Sequence, residues 1–336
     1  ATGKIRERES CMTDDTARPS PEEIVLYVKD PATKIATITI DRPDKHNAIT
    51  IGARHRFATL VHRANVDDDV KVLVIRGAGD HFGTGDDLPE MADLFSDKDV
   101  SWLHDFRIGE DDNVKYPPKD SYRHLGAVTQ LYSRAGEGMR DLQDFKKISI
   151  VEVKGYCYGW QFYLAGDADI VIASEEALFG HAAFRYAGWA ARMWQWALTM
   201  GLRNFQEMVF TGRPFTAAEM KACSFVNSVV PRDQLEAETA KYAHACSITR
   251  PNDVVVAQKT FIEAYKQYRG EYFGSILSGW LESMLPIVKD EGGIEAWRAA
   301  GQPVTGDAYV KVRYALQGEP HEVEVPFVPA TPPATP

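Results

Sequence analysis

Residues 148–165 read ISIVEVKGYCYGWQFYLA, a β-branched apolar run that meets Gly155 and Gly159 and passes directly into an apolar helical stretch. A glycine bend that opens a helix leaves the first N–H groups without intrahelical partners, aimed at whatever lies in front. Such a bend favours negative charge on a bound oxygen, the device by which acyl-transfer and enolate-forming enzymes lower their barriers. Strand–glycine–helix junctions also serve packing alone, so a second bend upstream matters. His81-Phe82-Gly83-Thr84-Gly85-Asp86-Asp87-Leu88 follows the mostly apolar run 70–76, which suits a sheet covered on both faces. Asp86 or Asp87 can cap the helix that Leu88 begins. Two such bends can each place one backbone N–H on a single carbonyl oxygen.

The surrounding pattern is α/β. Strands are predicted at 24–29, 34–40, 70–76, 148–153 and 170–173. Helices are predicted at 51–64, 123–145, 161–165, 205–210 and 217–223. From Arg232 the pattern turns wholly helical, over 234–247, 253–268, 272–289 and 293–300. Polar, proline-containing residues 1–21 and the proline-rich 301–336 predict an irregular N-terminal segment and an extended tail. Met12-Thr13-Asp14-Asp15 reads like a natural start, which would make residues 1–11 an addition. At 336 residues, 44% hydrophobic and 26% charged, the chain has room for a large globular domain and a smaller one. A net charge of −10 without a basic run argues against nucleic acid. No run is long and apolar enough for a membrane span, and no signal peptide or metal-ligand spacing stands out. Cys11, Cys157, Cys223 and Cys246 show no paired spacing and read as reduced thiols, predicting a cytoplasmic protein.

Four ordered motifs carry a resemblance. Ile38-Thr39-Ile40-Asp41-Arg42-Pro43-Asp44-Lys45-His46-Asn47-Ala48-Ile49 looks like the opening signature of the enoyl-CoA hydratase/isomerase (crotonase) superfamily, and the two bends look like its two oxyanion loops. Phe210 to Glu219, followed by Phe225 to Pro231, is similar to its closing signature. The match runs from about Ile24 to Lys289. The resemblance implies an α/β fold, a crotonase-like spiral of ββα units over 22–231, with a lid insertion near 92–145 and a C-terminal helical oligomerisation region over 232–300. It further implies a homo-oligomer, a trimer or dimer of trimers, with Tyr265, Tyr268, Tyr272, Phe273 and Trp280 available to an interface or to a core stripe. A small-molecule acyl substrate is implied, a coenzyme A thioester, with no permanently bound cofactor.

The departures are informative. Hydratases of this superfamily use two glutamates, and the aligned positions here are Tyr163 and Ala183. Alanine transfers no proton, and a tyrosine with a pKa near ~10 is a poor base at neutral pH. The two oxyanion donors align with the backbone N–H groups of Asp86 and Trp160. A carboxylate beside an oxyanion is unfavourable unless turned away or protonated, so Asp86 is expected to cap the helix and face solvent. His181, directly after Phe179-Gly180, is the residue whose ordinary pKa suits acid–base work, and Tyr163 can donate a hydrogen bond or proton. Trp189 and Phe82, with Ala183, are candidate pocket walls. His124 is the candidate from the lid, whose aromatic and proline content predicts a roof over a bulky or cyclic acyl group.

Three functions follow. One is an acyl-CoA lyase, hydratase or isomerase acting through an enolate with non-standard acid–base groups. Another is a C–C bond hydrolase opening a cyclic β-dicarbonyl by retro-Claisen attack. The third is a non-catalytic acyl-CoA binder that kept the scaffold.

Overall fold

Six strands form the main sheet of the computed structural model, which describes residues 19–91, 115–118, 121–136, 138–185 and 189–284. In chain order they are β1 (Val25–Asp30), β2 (Ile35–Ile40), β3 (Val72–Gly77), β4 (Ile148–Val153), β6 (Ile170–Ser174) and β9 (Ser228–Val230). Their spatial order is β1-β2-β3-β4-β6-β9, with β1 antiparallel to β2 and every other pair parallel. Strands β3 and β4 are buried along nearly their whole length, as parallel strands covered on both faces require. Parallel pairing sends the chain out of β3, β4 and β6 at one edge, where open α/β sheets bind ligands. The segments leaving those three strands carry Asp86, Trp160 and His181.

A second sheet of three short strands, β5 (Tyr156–Tyr158), β7 (Leu178–Gly180) and β8 (Phe215–Thr216), has no counterpart in the predicted elements. It pairs Tyr158 with Gly180 and so ties the second bend to the segment holding His181. The helix Trp160–Asp167 follows, with every residue buried.

The helix predicted over 123–145 spans only Tyr122–Ser133. Arg134 is extended, and Gly136 and Gly138 take φ of 106° and 78°, values that end a right-handed helix. At Gly138 a Cβ would lie 2.6 Å from the Arg54 carbonyl oxygen, so this turn packs against the helix Ile51–Val66. The helix Met193–Met200 was also not foreseen.

The helical end comprises Leu235–Ile248, Asn252–Tyr268 and Glu271–Ser283. The last lies across the helix Tyr122–Ser133 at Gly279, where a Cβ would stand 3.0 Å from the Thr129 carbonyl oxygen and 3.1 Å from the Tyr132 Cβ. A buried ionic network holds its other end. Arg192 contacts Asp167 at 2.8 Å and Glu271 at 3.4 Å, and donates to the Ser275 hydroxyl at 2.8 Å. Arg140 meets Glu271 at 2.5 Å, and the Gln143 amide donates to Asp167 at 2.9 Å. Among the interface candidates, Tyr265, Tyr268, Tyr272 and Phe273 are exposed, whereas Trp280 is partly buried and stacks on Tyr122. The predicted N-terminal segment up to residue 18, lid residues 92–114, 119–120 and 137, the helix 293–300 and the tail lie outside the described residues.

Candidate active site

The two glycine bends touch. A Cβ on Gly159 would come 2.8 Å from the Gly85 Cα, and one on Gly85 would come 3.6 Å from the Trp160 amide nitrogen. Both glycines have positive φ, 100° at Gly85 and 57° at Gly159, so no side chain fits between the backbones without strain. The amides that follow, Asp86 and Trp160, are therefore neighbours across the contact, and neither donates a hydrogen bond to any described residue.

A lattice of hydrogen bonds fixes this approach. The Gly83 N–H donates to the Tyr156 carbonyl at 2.8 Å, and the Tyr158 N–H returns to the Gly83 carbonyl at 2.9 Å. Gln161, on the first turn of its helix, accepts from the Gly85 N–H at 2.8 Å and donates to the Asn47 carbonyl at 2.8 Å. The Asn47 amide in turn donates to the carbonyls of Ala78 and His81 and accepts from the Arg42 N–H. Gln161 and Asn47 are fully buried, and neither was a sequence candidate. Phe82, expected at a pocket wall, is wholly buried in the core beneath the first bend. The Trp160 indole also turns into the core. It donates to the Gly138 carbonyl and meets Phe57 edge-on with ring centroids 5.0 Å apart.

Asp87, not Asp86, is the helix cap. Its carboxylate accepts from the Glu90 N–H at 2.9 Å and pairs with Arg42 at 2.5 Å. The Asp86 side chain remains partly exposed, 29%, but it is not the free solvent-facing cap expected. Its Oδ1 is buried, 3.4 Å from an Arg54 guanidinium nitrogen and without a hydrogen-bond partner. Burial pushes its pKa up against the pull of Arg54.

Tyr163 and His181 meet directly, with Oη and Nε2 2.9 Å apart and the rings stacked. His181 Nδ1 accepts from the Ala183 N–H at 3.1 Å, so the neutral ring carries its proton on Nε2 and donates it to Tyr163. Burial lowers the His181 pKa to about 3, which removes the near-neutral base that the sequence suggested. Burial also lifts Tyr163 well above its ordinary range, with the charges of Glu282 and Asp86 adding to the shift. Both side chains thus act as neutral hydrogen-bonding groups at neutral pH. Ala183 closes the turn as a small buried residue.

Trp189 is partly buried, and its indole Nε1 has no hydrogen-bond partner among the described residues. His124 is buried on the helix Tyr122–Ser133, about two turns before Tyr132. Glu282 escaped the sequence reading. It comes from the far end of the chain, and burial and the Asp86 charge raise its pKa to about 8.

The chain matches the family model described as enoyl-CoA hydratase/isomerase over residues 31–108 and 120–274. EchA13 of Mycobacterium tuberculosis, provisionally named an enoyl-CoA hydratase, is 27% identical over 316 residues, covering 85% of this chain and 91% of that protein. The mevalonyl-coenzyme A hydratase sidH of Aspergillus fumigatus is 27% identical over 276 residues, covering 81% of this chain and 92% of that one. Among solved structures, a probable enoyl-CoA hydratase from Mycobacterium thermoresistibile matches with a TM-score of 0.63 at 27% identity, over 84% of this chain and 100% of that one.

Proposed function

This chain belongs to the enoyl-CoA hydratase/isomerase family, with the crotonase fold and a helical C-terminal region, and on that premise we propose an enzyme that passes acyl-CoA thioesters through an enolate. The carrying observation is the contact between Gly85 and Gly159, which brings the Asp86 and Trp160 amides together. A thioester oxygen held by both gains hydrogen bonds as charge moves onto it. Donors fixed in advance stabilise that charge without reorganising during the reaction. The rigidity comes from Gln161 and Asn47, and the Trp160 indole leaves the approach open by packing behind it.

Tyr163 stands where the family's hydratases carry a carboxylate. With His181 donating to its oxygen, the Tyr163 proton is free to point at the substrate, so this pair orients and polarises. His181 serves as a positioning residue, because a ring with a pKa of about 3 takes up a proton poorly at neutral pH. The partly buried Trp189 is a candidate wall for a bulky or cyclic acyl group, and His124 a candidate from the lid helix.

The exposed Phe261, Tyr265, Tyr268 and Phe273 support a homo-oligomer, a trimer or dimer of trimers, built through the helical end. No helix among the described residues is long and apolar enough to cross a membrane.

The test is a panel of linear and cyclic enoyl-CoA thioesters and free cyclic β-diketones. Turnover of the thioesters alone is expected. Turnover of the free diketones would instead establish the C–C hydrolase, and thioester binding without turnover a binder.

A further inference from the structure

The residue that supplies the first amide also carries a carboxyl that the fold leaves unspent. The Ile49 N–H donates to the Gly85 carbonyl at 2.9 Å, and the Asp87 N–H donates to the Ile49 carbonyl at 2.9 Å. The 85–86 peptide is trans, so with its oxygen turned to Ile49 its N–H points the opposite way. Asp86 is thereby pinned through both neighbours, while its own N–H is left for the site. Gly85, Asp87 and Trp160 are buried, but the Asp86 side chain keeps part of its surface exposed, so an opening reaches it at this point.

One loose contact holds the carboxyl. Its Oδ1 lies 3.4 Å from an Arg54 nitrogen, beyond good hydrogen-bonding distance. That oxygen and the Arg54 Nε are both buried without a hydrogen-bond partner among the described residues. The adjacent Asp87, by contrast, is locked by Arg42 at 2.5 Å and by the Glu90 N–H. Buried carboxylates that only hold structure are satisfied in the manner of Asp87. We propose that the Asp86 carboxyl exchanges a proton with the α-carbon of the thioester whose oxygen its own amide holds.

Reach follows from covalent geometry. A thioester oxygen accepting from the Asp86 N–H sits about 2.9 Å from that nitrogen. The α-carbon is two bonds from this oxygen, and the carboxyl carbon is two bonds from the Cα that bears the nitrogen. The rotamers of so short a side chain bring a carboxyl oxygen to the α-proton.

The charges balance without a further reagent. The α-carbon's C–H bond breaks and an O–H bond forms on Asp86. The C–H electron pair becomes the enolate double bond, and the carbonyl π pair moves to the oxygen between the two amides. The carboxylate is thus neutralised as that oxygen becomes negative, and the two like charges never coexist. The reverse step returns the proton to carbon. Burial lifts the Asp86 pKa against the pull of Arg54, with the Asp87 charge adding to the rise, which makes it a stronger base than an exposed carboxylate.

This assignment rests on the acyl-CoA reading, and the experiment separates the two. Wild type, Asp86→Asn and Asp86→Ala, all of which keep the backbone N–H, are incubated in deuterium oxide with crotonyl-CoA and butyryl-CoA. Binding is measured by titration calorimetry, and turnover and deuterium at the α-carbon by proton NMR. Wild type is expected to bind both thioesters and to exchange the α-proton of butyryl-CoA. Both variants are expected to keep their affinity and to lose roughly 10²–10⁴-fold in exchange rate. Added sodium formate should restore part of the rate to Asp86→Ala, where the missing carboxyl leaves room, and none to Asp86→Asn.

Variants that exchange as fast as wild type overturn the Asp86 assignment alone. A loss in Asp86→Ala that formate fails to restore also overturns it, and makes the carboxyl a structural partner of Arg54. A wild type that binds the thioesters without exchanging or converting them overturns it as well, leaving a binder. A wild type that binds neither thioester overturns both readings.

Discussion

The helices Trp160–Asp167 and Glu271–Ser283 each have one end in the Arg192 network and the other at the candidate site, and the two ends treat buried charge in opposite ways. At the network, Asp167 and Glu271 meet two arginines, and the Ser275 hydroxyl and the Gln143 amide take up further hydrogen-bonding capacity. At the site, Asp86 has a single guanidinium at 3.4 Å and a bare oxygen, and the pKa of Glu282 is pushed up by burial and then by the Asp86 charge. The compensated end can only hold; the uncompensated end has groups whose protonation can change. Stability and chemistry are thus separated along the same pair of helices.

The first prediction would break this contrast if it failed. Arg192→Met leaves Asp167 without its guanidinium and should cost about 3–5 kcal/mol of stability, read by urea unfolding, because a buried charge stripped of its partner is strongly destabilising. A loss near zero would mean that the network is not what anchors the two helices.

Gly159→Ala tests the other end. A methyl 2.8 Å from the Gly85 Cα must push the bends apart, and the expected result is a 10²–10³-fold fall in kcat, of the order of removing one oxyanion donor. Unfolding midpoints should move far less than for Arg192→Met. Unchanged kcat would deny that the two amides act together.

For Tyr163→Phe the expected loss is smaller, roughly tenfold in kcat, the worth of about one hydrogen bond. A loss as large as that for Gly159→Ala would make the phenol a proton donor instead.

The smallest effects are two opposed pH slopes in melting temperature. Glu282 has a pKa of about 8 in the folded chain against an ordinary 4.5, so the native state retains its proton longer. Its contribution to stability is complete below pH 4.5 and is lost as pH rises through about 8. His181 runs the other way, with a pKa of about 3 against an ordinary 6.5. Its contribution is complete above pH 6.5 and is lost as pH falls towards 3. Glu282→Gln should flatten the alkaline slope and His181→Gln the acid slope, each by a few degrees at most. A variant that flattened the wrong side would reverse the sign of the assigned shift.

Much of the scaffold could be read from the chain because its periodicity is strong. The buried runs that became β2, β3, β4 and β6 were found within two residues of their observed ends. Strands β5, β7 and β8 are two or three residues long and carry no period to detect. The helix ending at Ser133 was overextended because its apolar residues continue beyond it, while the glycines that stop it lie among good helix formers.

At the site, Tyr163 and His181 were found by counting along a motif, and the structure puts them in contact. Asp86 was misread because two adjacent aspartates can each cap a helix, and only packing shows that Arg42 and the Glu90 amide take Asp87. Glu282 left no local signal. It sits on a helix whose sequence suggests an assembly surface, and its altered acidity arises from residues distant in the chain.

The bridge that Gln161 makes from the Gly85 amide to the Asn47 carbonyl has a consequence for inhibition. A cleft whose paired donors are held apart at a set span loses little freedom when it is filled. Ligands that mimic the high-energy oxygen should therefore outbind ordinary thioesters by a wide margin. Shortening this single side chain, Gln161→Ala, should narrow that margin even though it never touches the ligand.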